Sequence, residues 1–377
     1  MTILDRYLLF LFLRTFLVCF LSFTGLYVVI HLFSNLDELS ALSTESSWGE
    51  LMLAFYGPRV AEMFGKTAPV LALVAGIFSI SMLQRNRELT AIEAGGITKL
   101  RALRSIIFAG LVIVALTVAN RELLIPNFKD KLVRTPQNWH DRGKVAMHPR
   151  EDLRTGLKFR GKEFLVGEKK ITEANVQLPL AISTAVPRIA AKTATLVVAN
   201  DVHPAGVLFE GVTLPVVMTN VETISLDQRP LVYSPKNFQW LAADACFVAI
   251  KMDADEIAFG KKMAQYRRTS EMIAAIQQPK RHFGKSEEVS LHARLLRPMQ
   301  DITLLLLGLP VIVSNSERNI FASAGLGFLI VGSVFLVDAA SQGLGAYRLL
   351  EPAALAAWLP LIVFTPLAVL SMRKLKA

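Results

Sequence analysis

The chain has 377 residues, of which 53% are hydrophobic and 19% charged, with 41 lysines and arginines against 31 aspartates and glutamates. An ordinary soluble domain is about 45 to 50% apolar and about 25% charged, so this balance excludes a disordered chain and argues against a purely soluble one. A formal net charge of +10 fits either nucleic acid or the cytoplasmic face of a membrane, and the placement of the charges decides between them.

About 20 apolar residues in a helix cross the hydrocarbon of a bilayer. The first such run is Thr15 to Leu36, uncharged apart from His31. It is longer than a signal-peptide core and no small-residue cleavage pattern follows, so it reads as a retained span. The loop Asn35 to Glu50 holds Asp37, Glu38, Glu45 and Glu50 with no lysine or arginine. Thr67 to Gln84 is the second run, approached by Arg59, Glu62 and Lys66, which helical periodicity places on one face. Two readings stay open for these three. They form a headgroup-level face or internal ion-pair ladder, or they form an anion-facing wall at the outer end of a substrate cavity.

Gln84 to Thr98 predicts a short helix from about Arg87, stopped by Gly95-Gly96, with Glu88 and Glu93 set among Arg85, Arg87 and other bases. Either it orients the loop at the membrane surface, or it is where a motor protein pushes. The third run, Ser105 to Asn120, reaches Pro126 only by taking in Arg121 and Glu122. Short alternating or β-branched segments then replace long apolar ones: Leu157 to Val166 around a central glycine, Ala194 to Ala199, Gly206 to Leu214 as a strand pair with a turn glycine, Pro230 to Ser234, and Cys246 to Lys251. A helix is expected at Thr269 to Ile276. The last three spans are Ile302 to Ser316, which must borrow Leu295 to Asp301, then Asn319 to Val337 and Pro352 to Met372.

The pattern predicts an α-helical membrane protein with six transmembrane helices, three and three, around an inserted extracytoplasmic all-β, jelly-roll-like domain. The divisions fall at 1–126 (with the short loop helix at about 85–98), 127–292 and 293–377. Lys and Arg of short loops stay cytoplasmic. Arg6, Arg14, the loop bases Arg85 to Arg104 and the tail Arg373, Lys374 and Lys376 therefore place both termini inside and the β-domain outside. The basic excess is a topology signal, and no nucleic-acid partner is expected.

Catalytic signatures are missing from the sequence: no His-Glu-x-x-His, no Gly-x-Ser-x-Gly, and at Phe283-Gly-Lys-Ser286 a phosphate-loop fragment with Pro279 where its first glycine belongs. His31, His140, His148, His203, His282 and His292 lack metal-ligand spacing, and Cys19 and Cys246 read as packed thiols. No catalytic residue, metal or bound cofactor is expected, and any energy must come from a partner.

Several motifs now carry a resemblance. Leu-x-Arg-x-x-Glu-Leu-x-Ala-x-x-Ala-Gly-Gly-Ile at Leu83 to Ile97, Asn120-Arg-Glu-Leu-Leu-Ile-Pro126, His292-Ala-Arg-Leu-Leu-Arg-Pro298, Leu306-Leu-Gly-Leu-Pro310 and Pro352-Ala-Ala-Leu-Ala-Ala-Trp-Leu-Pro360 resemble the LptF/LptG (YjgP/YjgQ) family of lipopolysaccharide-export ABC transporter permeases. Leu4-Asp-Arg-Tyr7 is more similar to the LptG branch. The resemblance implies a half-transporter of the inner membrane, paired with a second, LptF-like permease on an LptB-like ATPase dimer that uses ATP and Mg. It would extract lipopolysaccharide and pass it to LptC-like and LptA-like periplasmic proteins. It also implies that Glu88 matches the coupling-helix glutamate docked in the ATPase, and that Arg59 after Pro58 matches a basic residue facing lipid phosphates. Where LptG proteins carry bases at the end of the first span, this chain has His31, Asp37 and Glu38, so no lipid site is carried over to those acids. The missing charge would come from Lys66 or the partner permease, or the headgroup is less phosphorylated. The competing reading is a membrane scaffold or sensor whose outer β-domain binds a ligand.

Overall fold

A computed structural model describes residues 2–43, 47–139, 143–147, 149–152, 155–179, 182–183, 186–200, 203–226, 229–250, 254–276, 285–313, 320–346 and 353–374. His140, His148, His282, Pro279 and the start of the Phe283 to Ser286 fragment lie outside the described residues.

The chain opens with α1 (Ile3–Ser34), whose N-terminus is closed by a capping box in which Thr2 and Asp5 satisfy each other's backbone donors. A short α2 (Leu36–Ser43) leads to α3 (Trp48–Arg85), then α4 (Glu88–Ala94) and α5 (Lys99–Ala119). From α5 the backbone passes through a π-turn (Asn120–Leu124) and a 3-10 turn (Ile125–Phe128) into α6 (Lys129–Val133). After the β-domain come α7 (Ala254–Ala264), α8 (Thr269–Ile276), α9 (Lys285–Val313), α10 (Ile320–Ala346) and α11 (Ala353–Lys374). Six of the helical runs are long and apolar enough to span a membrane. Among the described residues three of these runs precede the β-domain and three follow it.

The helices exceed their uncharged runs. The expected second span, Thr67 to Gln84, is only the C-terminal half of α3, and the third continues past Pro126 to Val133. The boundary drawn at 126 thus falls inside a helical run, and the one at 292 falls inside α9. The extra turns carry charges such as Arg59 and Glu122 that bond to neighbouring segments, so a charge does not end a helix here. At the centre of the bundle α3, α5 and α9 pack through Leu73, Ile77, Ile106, Ile113, Leu305 and Leu309. Small residues bring the backbones close, as is usual between membrane helices. A Cβ at Gly76 would lie 2.5 Å from Leu309, and one at Gly308 would lie 2.5 Å from Leu73.

The β-domain is one antiparallel sheet. Its strands are β1 (Lys144–Ala146), β2 (Arg150–Glu151), β3 (Lys158–Arg160), β4 (Glu163–Leu165), β5 (Lys170–Gln177), β6 (Arg188–Val197), β7 (Gly206–Leu214), β8 (Ile224–Leu226), β9 (Arg229–Tyr233) and β10 (Cys246–Ala249). They run in the order β1-β4-β5-β6-β7-β10-β9-β8, with β3 also on β5 and β2 on β3. Gly206 to Leu214, expected as two strands and a turn, is a single strand: Gly211 adopts φ +63 and the register against β6 shifts between Ala190 and Ala191. Glycine at positive φ bends a strand without ending it.

Alternating side chains of the strands, among them Phe159, Phe164, Phe209 and Val248, fill one apolar core. Burial of each such side chain is worth about 1.5 to 3 kcal/mol. Ile125, Leu132 and Val133 from the end of the third span and Ile257 and Phe259 of α7 belong to the same core. The domain is therefore packed onto the third span. Buried Cys246 sits in this core, and desolvation pushes its thiol up to about 12, which makes it a packing residue.

Candidate functional site

At the β-domain end of the bundle lies a cavity of about 460 Å³. Its walls are Glu62, Gly65 and Lys66 of α3, Arg121 and Ile125 beyond α5, Gln265 and Tyr266 between α7 and α8, Ser290, Ala293, Arg294 and Arg297 of α9, and Phe335 and Gln342 of α10. Four cations face one carboxylate, interleaved with apolar and amide groups.

Neighbouring acids hold these cations in place. Glu122 is the hub: it accepts from the Thr269 backbone N–H at 2.9 Å and its hydroxyl at 2.7 Å, and from Arg294 Nη2 at 3.2 Å. A carboxylate over the first N–H of α8 is favoured by the helix dipole as well as by the bond. Arg297 lies between Asp301 at 3.5 Å and Asp338 at 3.4 Å, and so ties α9 to α10. Arg121 donates to the Arg294 carbonyl at 3.2 Å, while its buried Nε has no hydrogen bond among the described residues. The π-turn sets this geometry. Its first residue, Asn120, donates to the Ala61 carbonyl at 2.7 Å and so pins the β-domain end of the third span to α3. π-turns inside α-helices recur at functional sites.

Glu62 and Lys66 form an i,i+4 ion pair on the wall, and the Tyr266 hydroxyl donates to Glu62 at 2.7 Å. Burial, helped by that bond, raises the Tyr266 phenol above its usual range and keeps it a donor. The Lys66 side chain is 63% exposed and is the accessible charge of the set.

Arg59 stands apart from these two. It is buried, stacks 3.5 Å over the Phe55 ring, and donates to the carbonyls of Phe55 and Arg134. It therefore braces α3 against the chain just after α6 and does not line the cavity. Arg59 and Lys66 share a helical face but differ in depth by roughly 10 Å along the axis. Arg59→Leu is expected to destabilise the folded chain by about 2 to 3 kcal/mol, the cost of losing charge-assisted bonds to buried carbonyls. Thermal unfolding in detergent measures this, and ligand contacts at Lys66 should persist in the protein that remains folded.

At the opposite end, α4 begins after Arg87, whose φ of 59 makes the sharp turn out of α3. Glu88 accepts from the Tyr7 hydroxyl at 2.7 Å and from Asn86 Nδ2 at 3.1 Å. Glu93 pairs with Lys99 at 3.5 Å. Leu89 is buried against Leu8, Leu83 and Ala102, whereas Arg85, Arg87, Thr90, Ala91, Glu93 and Ala94 are exposed. Gly96, at φ +81, follows the helix as the expected stop. The four loop residues named from the sequence thus lie together around one short helix, far along the chain from the cavity.

Sequence reasoning missed Arg121, Arg294, Arg297 and Tyr266 as cavity residues. Arg121 and Arg297 carried a usable signal, since an ionisable residue inside an apolar span is a site candidate by default. No group of three or more metal-ligating side chains occurs among the described residues. His31 instead meets the Tyr56 hydroxyl at 3.1 Å, and His203 stacks on Trp240 with centroids 5.2 Å apart.

Six helices of spanning length among the described residues, an inserted β-domain and a cation-lined cavity where the two meet define a multi-pass membrane protein. Residues 6–374 match the family of the lipopolysaccharide export system permease LptF/LptG, and the chain belongs to that family. No individually curated protein matches it.

Proposed function

We propose that this chain is one permease of an ATP-driven complex that extracts lipopolysaccharide from the inner membrane and passes it to a periplasmic bridge. In this reading it pairs with a second permease of the family, both stand on an ATPase dimer that binds ATP and Mg, and LptC-like and LptA-like proteins receive the lipid from the β-domain. Both termini and α4 are cytoplasmic, and the β-domain is periplasmic. The observation that carries the reading is the cation-lined cavity directly beneath a β-domain that shares its core with the third span. An anionic headgroup is held there by charge-assisted bonds. A volume of about 460 Å³ suits a headgroup and leaves the acyl chains in the bilayer.

Transport follows if ATP-driven states bind the lipid unequally, since only differential affinity moves a conformational equilibrium. Depletion of the protein is expected to trap newly made lipopolysaccharide in the inner membrane, read by membrane fractionation after pulse labelling. Normal delivery to the surface would discard export in favour of a scaffold or sensor.

A further inference from the structure

Both carboxylate oxygens of Glu88 are occupied by groups of this same chain: Oε2 by the Tyr7 hydroxyl and Oε1 by Asn86 Nδ2. Asn86 is a near neighbour in the loop, but Tyr7 belongs to α1, which does not flank the loop at all. Three further contacts fix α1 at that place. Leu8 packs with Leu89 of α4, Leu83 and Ala102, and Leu4 and Leu11 close the same cluster. Asp5 accepts from Arg101 at 3.2 Å and from Ser105 at 2.9 Å, tying the start of α1 to the start of α5. Only 11% of the most apolar stretch of α1 is buried in the protein, with Phe12 in the central core and His31 against Tyr56 holding its later turns to the bundle. At its N-terminal end the attachment is the patch under α4.

We infer that Tyr7 is a positioning residue for Glu88: its hydroxyl fixes the carboxylate in the orientation that the ATPase meets, and it makes α1 move with α4. The inference rests on the coupling role proposed for Glu88. A glutamate at the start of an exposed helix of about two turns samples many rotamers, and ordering it on docking is a cost that a prior hydrogen bond removes. The bond also gives a route by which displacement of α4 reaches a span that the loop does not contain. Tyr7 is about half exposed, so loss of its hydroxyl alone leaves the ring packing and the fold in place.

The test is a double-mutant cycle on the full complex in nanodiscs, with the affinity of the cognate ATPase for the permease pair as readout. Tyr7→Phe is expected to weaken ATPase binding about two- to tenfold, as for one hydrogen bond, with an unchanged melting temperature. In a Glu88→Ala background the same substitution is expected to do nothing more, because its effect runs through the missing carboxylate. Equal losses in both backgrounds, or no loss from Tyr7→Phe alone, would overturn the positioning role and leave the coupling reading standing. Unchanged binding for Glu88→Ala by itself would overturn both.

Discussion

Arg297→Leu is expected to destabilise the protein by up to about 3 kcal/mol, the low end of the cost of removing one partner from a buried ion pair, because the arginine itself is 31% exposed on the cavity wall. Asp301 and Asp338 are 8% and 7% exposed, and Arg297 is the cation between them, at 3.5 and 3.4 Å. Gln300 and Gln342 also donate to Asp338, at 3.3 and 2.9 Å, but amides supply no countercharge. Without Arg297 two carboxylates on adjacent helices would face each other at membrane depth, and α10 would lose its ionic tie to α9. Only 17% of the most apolar stretch of α10 is buried, and its apolar attachment is the row Ile330, Val331, Val334 and Val337. The double variant Arg297→Leu/Asp338→Leu should recover much of the loss, because exchanging a whole buried pair for apolar groups is often neutral. Thermal unfolding of the three variants in nanodiscs measures this. Purely additive losses would show that the pair is not coupled.

The same network explains what the sequence could and could not disclose. Six spans were legible because uncharged runs of lipid-crossing length are rare by chance, and the short loop helix was legible from its paired glycines. The lengths were not. Arg121, Glu122, Arg297 and Asp301 look like the ends of spans in a linear reading, yet each is carried inside a helix by a partner: Arg121 by the Arg294 carbonyl, Glu122 by Arg294 and Thr269, Arg297 by Asp338 of α10, and Asp301 by Arg297 one turn earlier in α9. Several strands of the β-domain were visible as short β-branched segments, but β5 was not, because Lys170–Gln177 mixes Lys, Thr, Glu, Asn and Gln on its outer face with only Ile171, Ala174 and Val176 inside. In the cavity, Glu62 and Lys66 were found by their spacing on a single helix. The arginines opposite come from the end of the third span and from α9, and no local periodicity joins those segments. Arg59 shows the converse limit. Periodicity gives the face of a helix and says nothing of what occupies that face two turns further along, where the Phe55 ring and the Arg134 carbonyl already hold the guanidinium.

That difference in depth selects Lys66 as the residue with which to test the cavity. Reversing Arg59 would bury an unpaired carboxylate against backbone carbonyls, so a loss of transport would report misfolding. Lys66 is 63% exposed and bonded only to Glu62 among the described residues, and Lys66→Glu adds a like-charge i,i+4 pair worth a few tenths of a kcal/mol. The fold should survive. The cavity wall, however, would exchange a cation for a second exposed acid beside Glu62. A unit charge near a bound phosphate is worth about 1 to 4 kcal/mol between the limits of bulk water and a partly dry surface site. Reversal is therefore expected to weaken capture of an anionic headgroup by about tenfold or more, since each 1.4 kcal/mol is a factor of ten. Site-specific photocrosslinking from Gln265 to lipopolysaccharide reads the effect in cells, with melting temperature and ATPase recovery as controls. Lys66→Gln, which removes the charge without reversing it, should fall between the wild type and Lys66→Glu. Raised salt should erase part of the difference, because an exposed charge is screened within about 8 to 10 Å. Undiminished crosslinking in Lys66→Glu would move lipid capture away from this cavity to a surface shared with the second permease.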